Sequence, residues 1–365
     1  MTPIIHITDL HHPPHDVDDL FDLAAVYGMP GGDVRAVLID YLRDVGSFPD
    51  MYEPGLVPVT QLNWLTAKAV PVAVGPSRRL TSIDDTGSDS PAQEQSAIDL
   101  FLKTLEISDT PLAVITVGSC RIIACALNRN YKLCKDKISS LFIVAGCAHY
   151  FDFTSGQEYN VKVDPLAYAK VFTSDIPIHW YPCAAGLPYT KGETEKYKIH
   201  SSRWEYSQQK LSEGIDRRLH AWMVCSLSGN LRGDIIRALD EGWYGGTWWA
   251  CIKQNTRWFW STAAIVHAAG CRLYKTEKGW RFVSQNKKQD SWIEEKLDCI
   301  PVSVEVNPEG YTTWEHADES NIKLYERDPG EGHNAAMGEA MNALLRDLVP
   351  GNDAYSHKDK SPTIK

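Results

Sequence analysis

The chain has 365 residues, 43% of them apolar and 23% charged, with 37 lysines and arginines against 47 aspartates and glutamates. That length and composition suit a soluble globular protein with a sizeable core, in one large domain or two smaller ones. A formal charge of −10 excludes a general nucleic-acid binder, which needs a basic face, and favours small molecules or cations as ligands.

The opening MTPIIHITDLHH has neither a basic lead nor a long apolar stretch, so no signal peptide is expected. Ile4 to Thr8 predicts a strand, and Asp19 to Tyr27 a helix after a polar loop. Val34 to Ile39 and Val70 to Val74 predict two further strands. Ile98, Phe101, Leu102 and Leu105 form a helical stripe within Gln93 to Ile107, after a segment from Asp84 to Pro91 that reads as a mobile loop. Leu112 to Val117 is a buried-type strand leading into a helix from Arg121 to Asn128. Strands over Leu141 to Val144 and Ile176 to Trp180 flank a helix from Pro165 to Val171. This βαβα order predicts an α/β fold, a mainly parallel sheet with helices on both faces.

The second half is less regular. Helices are expected over Arg203 to Leu211, Ile215 to Ser226, Asp234 to Glu241, Thr262 to Ala269 and Asn334 to Leu348. Strands near Val302 to Val306 and Ile322 to Tyr325 suggest a small antiparallel addition near the C-terminus. Residues 1–350 are expected to form one domain and 351–365 a disordered tail. No apolar run approaches the roughly 18 residues of a membrane span. The nine cysteines are scattered and form no CxxC pair, so reduced thiols and a cytoplasmic location are expected.

The first strand ends in Thr8-Asp9, and after a His/Pro-rich loop carrying Asp16 the next helix opens with Asp18-Asp19. Ligands of parallel sheets bind beyond the carboxyl ends of strands, and clustered carboxylates suit Ca²⁺ or Mg²⁺. Two readings stay open: a cation site, or Asp18 as a helix cap among solvated neighbours. His11, His12 and His15 suit an exposed loop as well as a transition-metal site.

Thr8-Asp9 with Asp18-Asp19-Leu20 resembles the N-terminal signature of the inosine-uridine preferring nucleoside hydrolases, with Ile7 in place of a first aspartate and a lengthened loop. Three more segments follow in that family's order: Val70 to Gly75, Pro111 to Gly118, and Phe142 to Cys147 followed by Gln157-Glu158-Tyr159-Asn160 and Asp164-Pro165. In the C-terminal half the counterpart of a His-Asp-Pro motif is Trp260-Ser261-Thr262, with Trp260 for the histidine and Ser261 for a metal-binding aspartate.

The resemblance implies a metal-dependent hydrolase of an N-ribosyl or related glycosidic bond, with Ca²⁺ as the expected cation and a possible homo-oligomer. It gives Asp9 the roles of metal ligand and general base, Asp19 that of a ligand, and Val117 a carbonyl ligand. Asp18, Glu158 and Asn160 inherit contacts to the sugar hydroxyls, and Trp260 a place near the leaving group. In extended chain Glu158 and Asn160 would point the same way. Ser261 is a neutral oxygen at a carboxylate position, and Asp16 is a candidate replacement. Trp243, Trp248 and Trp249 suit either stacking on an aglycone or core packing, and His220 and His267 are candidate proton donors. The alternative is a ribose- or nucleoside-binding protein with little or no turnover, which Ser261 and Trp260 favour.

Overall fold

The computed structural model describes residues 1–12, 17–41, 53–148, 158–183, 198–228, 234–240, 255–328, 330 and 332–350. Asp16, Trp243, Trp248, Trp249 and the expected tail lie outside these residues.

The apolar runs of the first half form strands β1 (Thr2–Thr8), β2 (His11–His12), β3 (Gly32–Ile39), β4 (Glu53–Pro54), β5 (Val72–Val74), β6 (Leu112–Thr116), β7 (Ile138–Val144) and β8 (Ile178–Tyr181). Between them run helices α1 (Asp18–Gly28), α2 (Leu56–Thr66), α3 (Ala92–Ile107), α4 (Arg121–Lys137), α5 (Tyr159–Val163) and α6 (Pro165–Phe172). Beyond residue 200 the described chain forms β9 (Trp204–Ser207), α7 (Gln208–Leu211), α8 (Arg217–Ser228), α9 (Arg237–Asp240), β10 (Thr256–Phe259) and α10 (Thr262–Ala268). It continues with β11 (Cys271–Thr276), β12 (Gly279–Ser284), β13 (Ile293–Glu294), β14 (Leu297–Val306), β15 (Thr312–His316), β16 (Ile322–Arg327) and α11 (His333–Leu348).

Nine strands share one sheet in the order β15-β14-β16-β8-β7-β6-β1-β3-β5. All neighbours from β16 to β5 pair in parallel, while β14 is antiparallel to both β15 and β16. Both faces are covered, which is why these strands read as continuous apolar runs. Ile5, Ile7, Leu38 and Val114 pack with Ile98, Phe101 and Ile122 on one face. Ile4, Val37 and Ile115 pack with Leu20, Ala264 and Met337 on the other. Chain order reverses between β1 and its neighbour β6, and such a switch opens a crevice at the strands' carboxyl ends.

Several elements differ from expectation. The helix expected over Arg203 to Leu211 is instead strand β9 followed by one turn, because Trp204 is buried and stacks on Phe259 of β10 at 4.5 Å. Helix α2 escaped notice because its apolar residues are spread around it without a clear period. The loop around Asp84 to Pro91 is fastened rather than slack. Asp85 accepts hydrogen bonds from the Thr81 amide and hydroxyl, the Gly87 amide and Arg78. The antiparallel addition is larger than expected, gaining the β11–β12 hairpin and edge strand β15.

Candidate functional site

At the sheet's switch point, Asp9 follows β1 and the Val117–Gly118–Ser119 turn follows β6. The Val117 amide donates to the Ile7 carbonyl at 3.0 Å, so the two chain ends leave the sheet side by side. Gly118 suits a close approach: a Cβ there would lie 3.0 Å from Asp9 Cβ and 3.1 Å from Asp40 Oδ2, so one of them would have to give way. Asp40, at the end of β3, receives the Ser119 amide at 2.8 Å and two bonds from Arg121.

The segment expected to be extended around Glu158 is a short helix instead, α5, with Glu158 as its cap. Its carboxylate accepts from the amides of Gly146, Asn160 and Val161 at 2.7, 3.1 and 3.3 Å. Burial raises the Glu158 carboxyl above its ordinary range, against the pull of those amides. Gly146 is held at φ +85°, and a Cβ there would reach 2.5 Å from the Tyr168 hydroxyl, so glycine alone fits. The Asn160 amide nitrogen donates to two carbonyls, Val117 and Val144, each at 3.0 Å. It thereby ties the ends of β6 and β7 together, one of them through the carbonyl expected to face a cation.

Tyr159 stands half-exposed between these two committed neighbours. Burial raises its phenol, and the negative charges of Asp9, Asp40 and Asp19 raise it further. Beyond β8, the Cys183 thiol is pushed well up by burial first, then by Glu158, Asp18 and Asp9. These carboxylates from β1, α1, β3 and the α5 cap therefore share one electrostatic neighbourhood. Asp18 and Asp19 are buried in the first turn of α1, whose cap position is Val17. Asp18 is thus not the helix cap that the sequence left open.

Trp260 and Ser261 complete the rim. The Trp260 indole donates to the Cys183 carbonyl at 3.1 Å, and its ring meets exposed Trp258 edge-on at 6.2 Å. Ser261 is buried at the start of α10 and makes no side-chain capping bond there. His267 is not free to donate a proton to a leaving group: Tyr181 Oη sits 2.6 Å from Nδ1 and the Leu297 carbonyl 2.8 Å from Nε2. Burial holds its pKa down to about 3. His220 is wholly buried in α8.

Among the described residues, no group of three or more His, Cys, Asp or Glu side chains is arranged to hold a metal ion. The donors are of the right hard-oxygen kind, but they do not close into a complete cation site. The sequence did not single out Asp40, Arg121 or Cys183. Asp40 could have been noticed as a charge ending an apolar strand, but nothing local marks its partner 81 residues on.

The family described as inosine-uridine preferring nucleoside hydrolase matches residues 58–235. A pyrimidine-specific ribonucleoside hydrolase RihA of Escherichia coli O1:K1 / APEC is 32% identical over 155 residues, covering 38% of this chain and 47% of that enzyme. RihA of Salmonella schwarzengrund (strain CVM19633) is 32% identical over 126 residues, 32% of this chain and 38% of that one. The match thus spans about half or less of these relatives' length. Among solved structures, a purine-preferring ribonucleoside hydrolase from Gardnerella vaginalis superposes with a TM-score of 0.56 at 16% identity, over 94% of this chain and 99% of that one. A plant nucleoside hydrolase, PpNRh1, gives 0.55 at 13% identity, over 96% and 99%. These two likenesses establish a common fold.

Proposed function

We propose that the chain is a divergent member of the inosine-uridine preferring nucleoside hydrolase family, on the strength of the match over residues 58–235, and that it hydrolyses the N-glycosidic bond of a ribonucleoside. The observation that carries the reading is the meeting of Asp9, the Val117–Ser119 turn and Asn160 at the carboxyl ends of β1, β6 and β7. Carboxylates gathered at that switch point suit an oxocarbenium-like transition state, whose positive charge they would stabilise.

In this reading the Asp9 carboxylate takes a proton from water as the water oxygen bonds to C1′. The bond from C1′ to the base nitrogen breaks, and its electron pair leaves with the base, which takes a proton from solvent water while Asp9 returns the proton it took to solvent. Asp18 accepts a sugar hydroxyl. So does Asn160 through Oδ1, since its nitrogen is committed to two carbonyls. Glu158 acts through the loop it caps, and Trp260 borders the leaving group.

A divalent cation, with Ca²⁺ the expected one, belongs to the proposal through the oxygens of Asp9, Asp19, Val117 and Ser261, with Asp16 as an added donor. No step here is routed through it, because the described donors do not by themselves complete its site. The same proposal includes one domain over residues 1–350, a small-molecule substrate, and a homo-oligomer, which rests on the resemblance alone. A cytoplasmic setting is supported by cysteines that are scattered and form no CxxC pair.

The test is purified full-length protein incubated with a nucleoside panel and added Ca²⁺, reading free ribose. Asp9→Asn is expected to lower turnover by about 10²-fold or more, the usual scale for losing a general base. Removing Ca²⁺ with a chelator is expected to lower it too. Calorimetric sugar binding with no product from any nucleoside would overturn the hydrolase reading in favour of a binder.

A further inference from the structure

Directly behind the Asp9–Gly118 contact lies an ion pair, Asp40–Arg121, with both side chains at 0% exposure. Asp40 Oδ1 accepts from Arg121 Nε at 3.2 Å and Nη2 at 3.0 Å, while Oδ2 accepts the Ser119 amide at 2.8 Å. The guanidinium reaches two more backbone oxygens, Tyr41 at 3.2 Å and Arg78 at 3.1 Å. One side chain thus joins the end of β3, the loop after β5 and the turn after β6.

A buried ion pair is a poor source of stability, because desolvating two charges offsets much of their attraction and a packed apolar pair often does as well. What this pair supplies is placement. Asp40 grips Ser119 from behind, and Gly118 is thereby wedged between Asp40 and Asp9, near contact with both. Val117, one residue before Gly118, holds Asn160 through its carbonyl. Moving Ser119 by a few tenths of an ångström therefore moves the floor on which Asp9 rests and the anchor of Asn160. Interiors packed at crystal density pass such shifts on rather than absorbing them.

We infer that Asp40–Arg121 is a positioning pair for the sugar site: it fixes the Val117–Ser119 turn against Asp9 without touching substrate itself. The inference rests on the hydrolase reading above. It predicts a split that a purely structural pair would not give, in which turnover falls while sugar affinity and folding hold. Misplacing a base relative to its water affects the chemical step more than binding.

The experiment uses the full chain in four forms: wild type, Arg121→Met, the apolar pair Asp40→Leu/Arg121→Met, and Asp40→Asn. Arg121→Met strands a buried carboxylate and is expected to unfold at a markedly lower temperature. The double variant is expected to melt well above Arg121→Met, short of wild type by what the Ser119 amide and the Tyr41 and Arg78 carbonyls lose with their partners. With the nucleoside that wild type cleaves best, it should still turn over at least roughly ten times more slowly with KM within about twofold. If the double variant does not fold, Asp40→Asn, which keeps the shape and one acceptor but leaves the Arg121 charge uncompensated, is expected to melt below wild type and to show the same fall in kcat with KM held. Recovery of kcat together with melting temperature, or an unchanged kcat in Asp40→Asn, overturns the positioning role and leaves the hydrolase reading intact. A wild type that releases no ribose from any nucleoside overturns the hydrolase reading, and this inference falls with it.

Discussion

Asn160 offers the sharpest check on how the site is assembled, because both of its Nδ2 hydrogens are accounted for at 3.0 Å, one on Val117 and one on Val144. Asn160→Ala removes two hydrogen bonds that contribute about 1 kcal/mol each, so a loss of about 2 kcal/mol is expected. Asn160→Asp is nearly the same size but sets a carboxylate oxygen against two carbonyl oxygens. It should do worse, by a total of at least about 4 kcal/mol, since leaving a charged group unsatisfied exceeds leaving a neutral one. Unfolding entropy near 2.1 cal/mol/K per residue makes these losses roughly 2–3 °C and 5 °C in melting temperature for a chain of this length. Scanning fluorimetry, with urea unfolding alongside, resolves the two. The decisive feature is the order: an aspartate variant as stable as wild type, or more stable than the alanine variant, refutes the clamp. The clamp has a chemical corollary. With its donors used, Asn160 can accept a hydroxyl proton but cannot donate one. A nucleoside carrying fluorine in place of the contacted hydroxyl should therefore bind more weakly even though fluorine fills similar space.

Two further outcomes are expected. His6 is wholly buried with no hydrogen-bond partner for its ring among the described residues, and both His6 and His267 are held down to about 3 by burial. Their neutral forms are the folded ones, so the stability they carry is complete above the unfolded pKa near 6.5 and is lost as pH falls toward 3. At pH 5 the loss is about 2 kcal/mol for each, and in His267→Gln the drop in melting temperature between pH 7 and 5 should be smaller than in wild type; an equal drop in both proteins removes His267 from the account. Gly118→Ala places a methyl 3.0 Å from Asp9 Cβ and 3.1 Å from Asp40 Oδ2. Overpacking of this kind destabilises by about 1–3 kcal/mol, and displacement of Asp9 should cut nucleoside turnover well beyond what the lowered stability explains. Full activity in the alanine variant would mean that the turn and Asp9 are not in register contact.

The parallel strands were legible because burial on both faces writes them as unbroken apolar runs, as in Ile4 to Ile7 and Leu112 to Ile115. Strand ends were legible for the same reason, which put Asp9 and Val117 at the crevice. What failed to show was anything set by a partner far along the chain. Glu158-Tyr159-Asn160-Val161 reads as extended on local preference. It turns helical because Glu158 caps its own helix while reaching back to Gly146. Trp204 to Ser207 reads as helix until Phe259 supplies a ring to stack on. Asp40 and Arg121 each look like surface charges in sequence, and only their pairing lets both be buried. The β11–β12 hairpin did leave a trace, in the Lys278-Gly279 turn, where Gly279 takes φ +87°.

Two of the departures from the family pattern, Trp260 and Ser261, fall together on the α10 side of the site. Trp260 and Ser261 stand at the start of α10, the indole is committed to the Cys183 carbonyl, and Ser261 brings no charge. On the opposite side, where Ile7 stands for a first aspartate, Asp9 and the first turn of α1 keep their carboxylates, and Asp40 has its own buried counterion. A net positive guanidinium beside Asp9 would oppose an oxocarbenium-like state, but Arg121 is neutralised by the Asp40 it grips and adds rigidity with little field. In the proposed reaction, water activation belongs to the β1–β6 side. The α10 side, aromatic and uncharged at Trp260 and Ser261, is the one the proposal gives to the departing base. On this division of labour, changes at Trp260 should alter which base is accepted, expressed mainly in KM. Changes at Asp9 should alter kcat for every base alike.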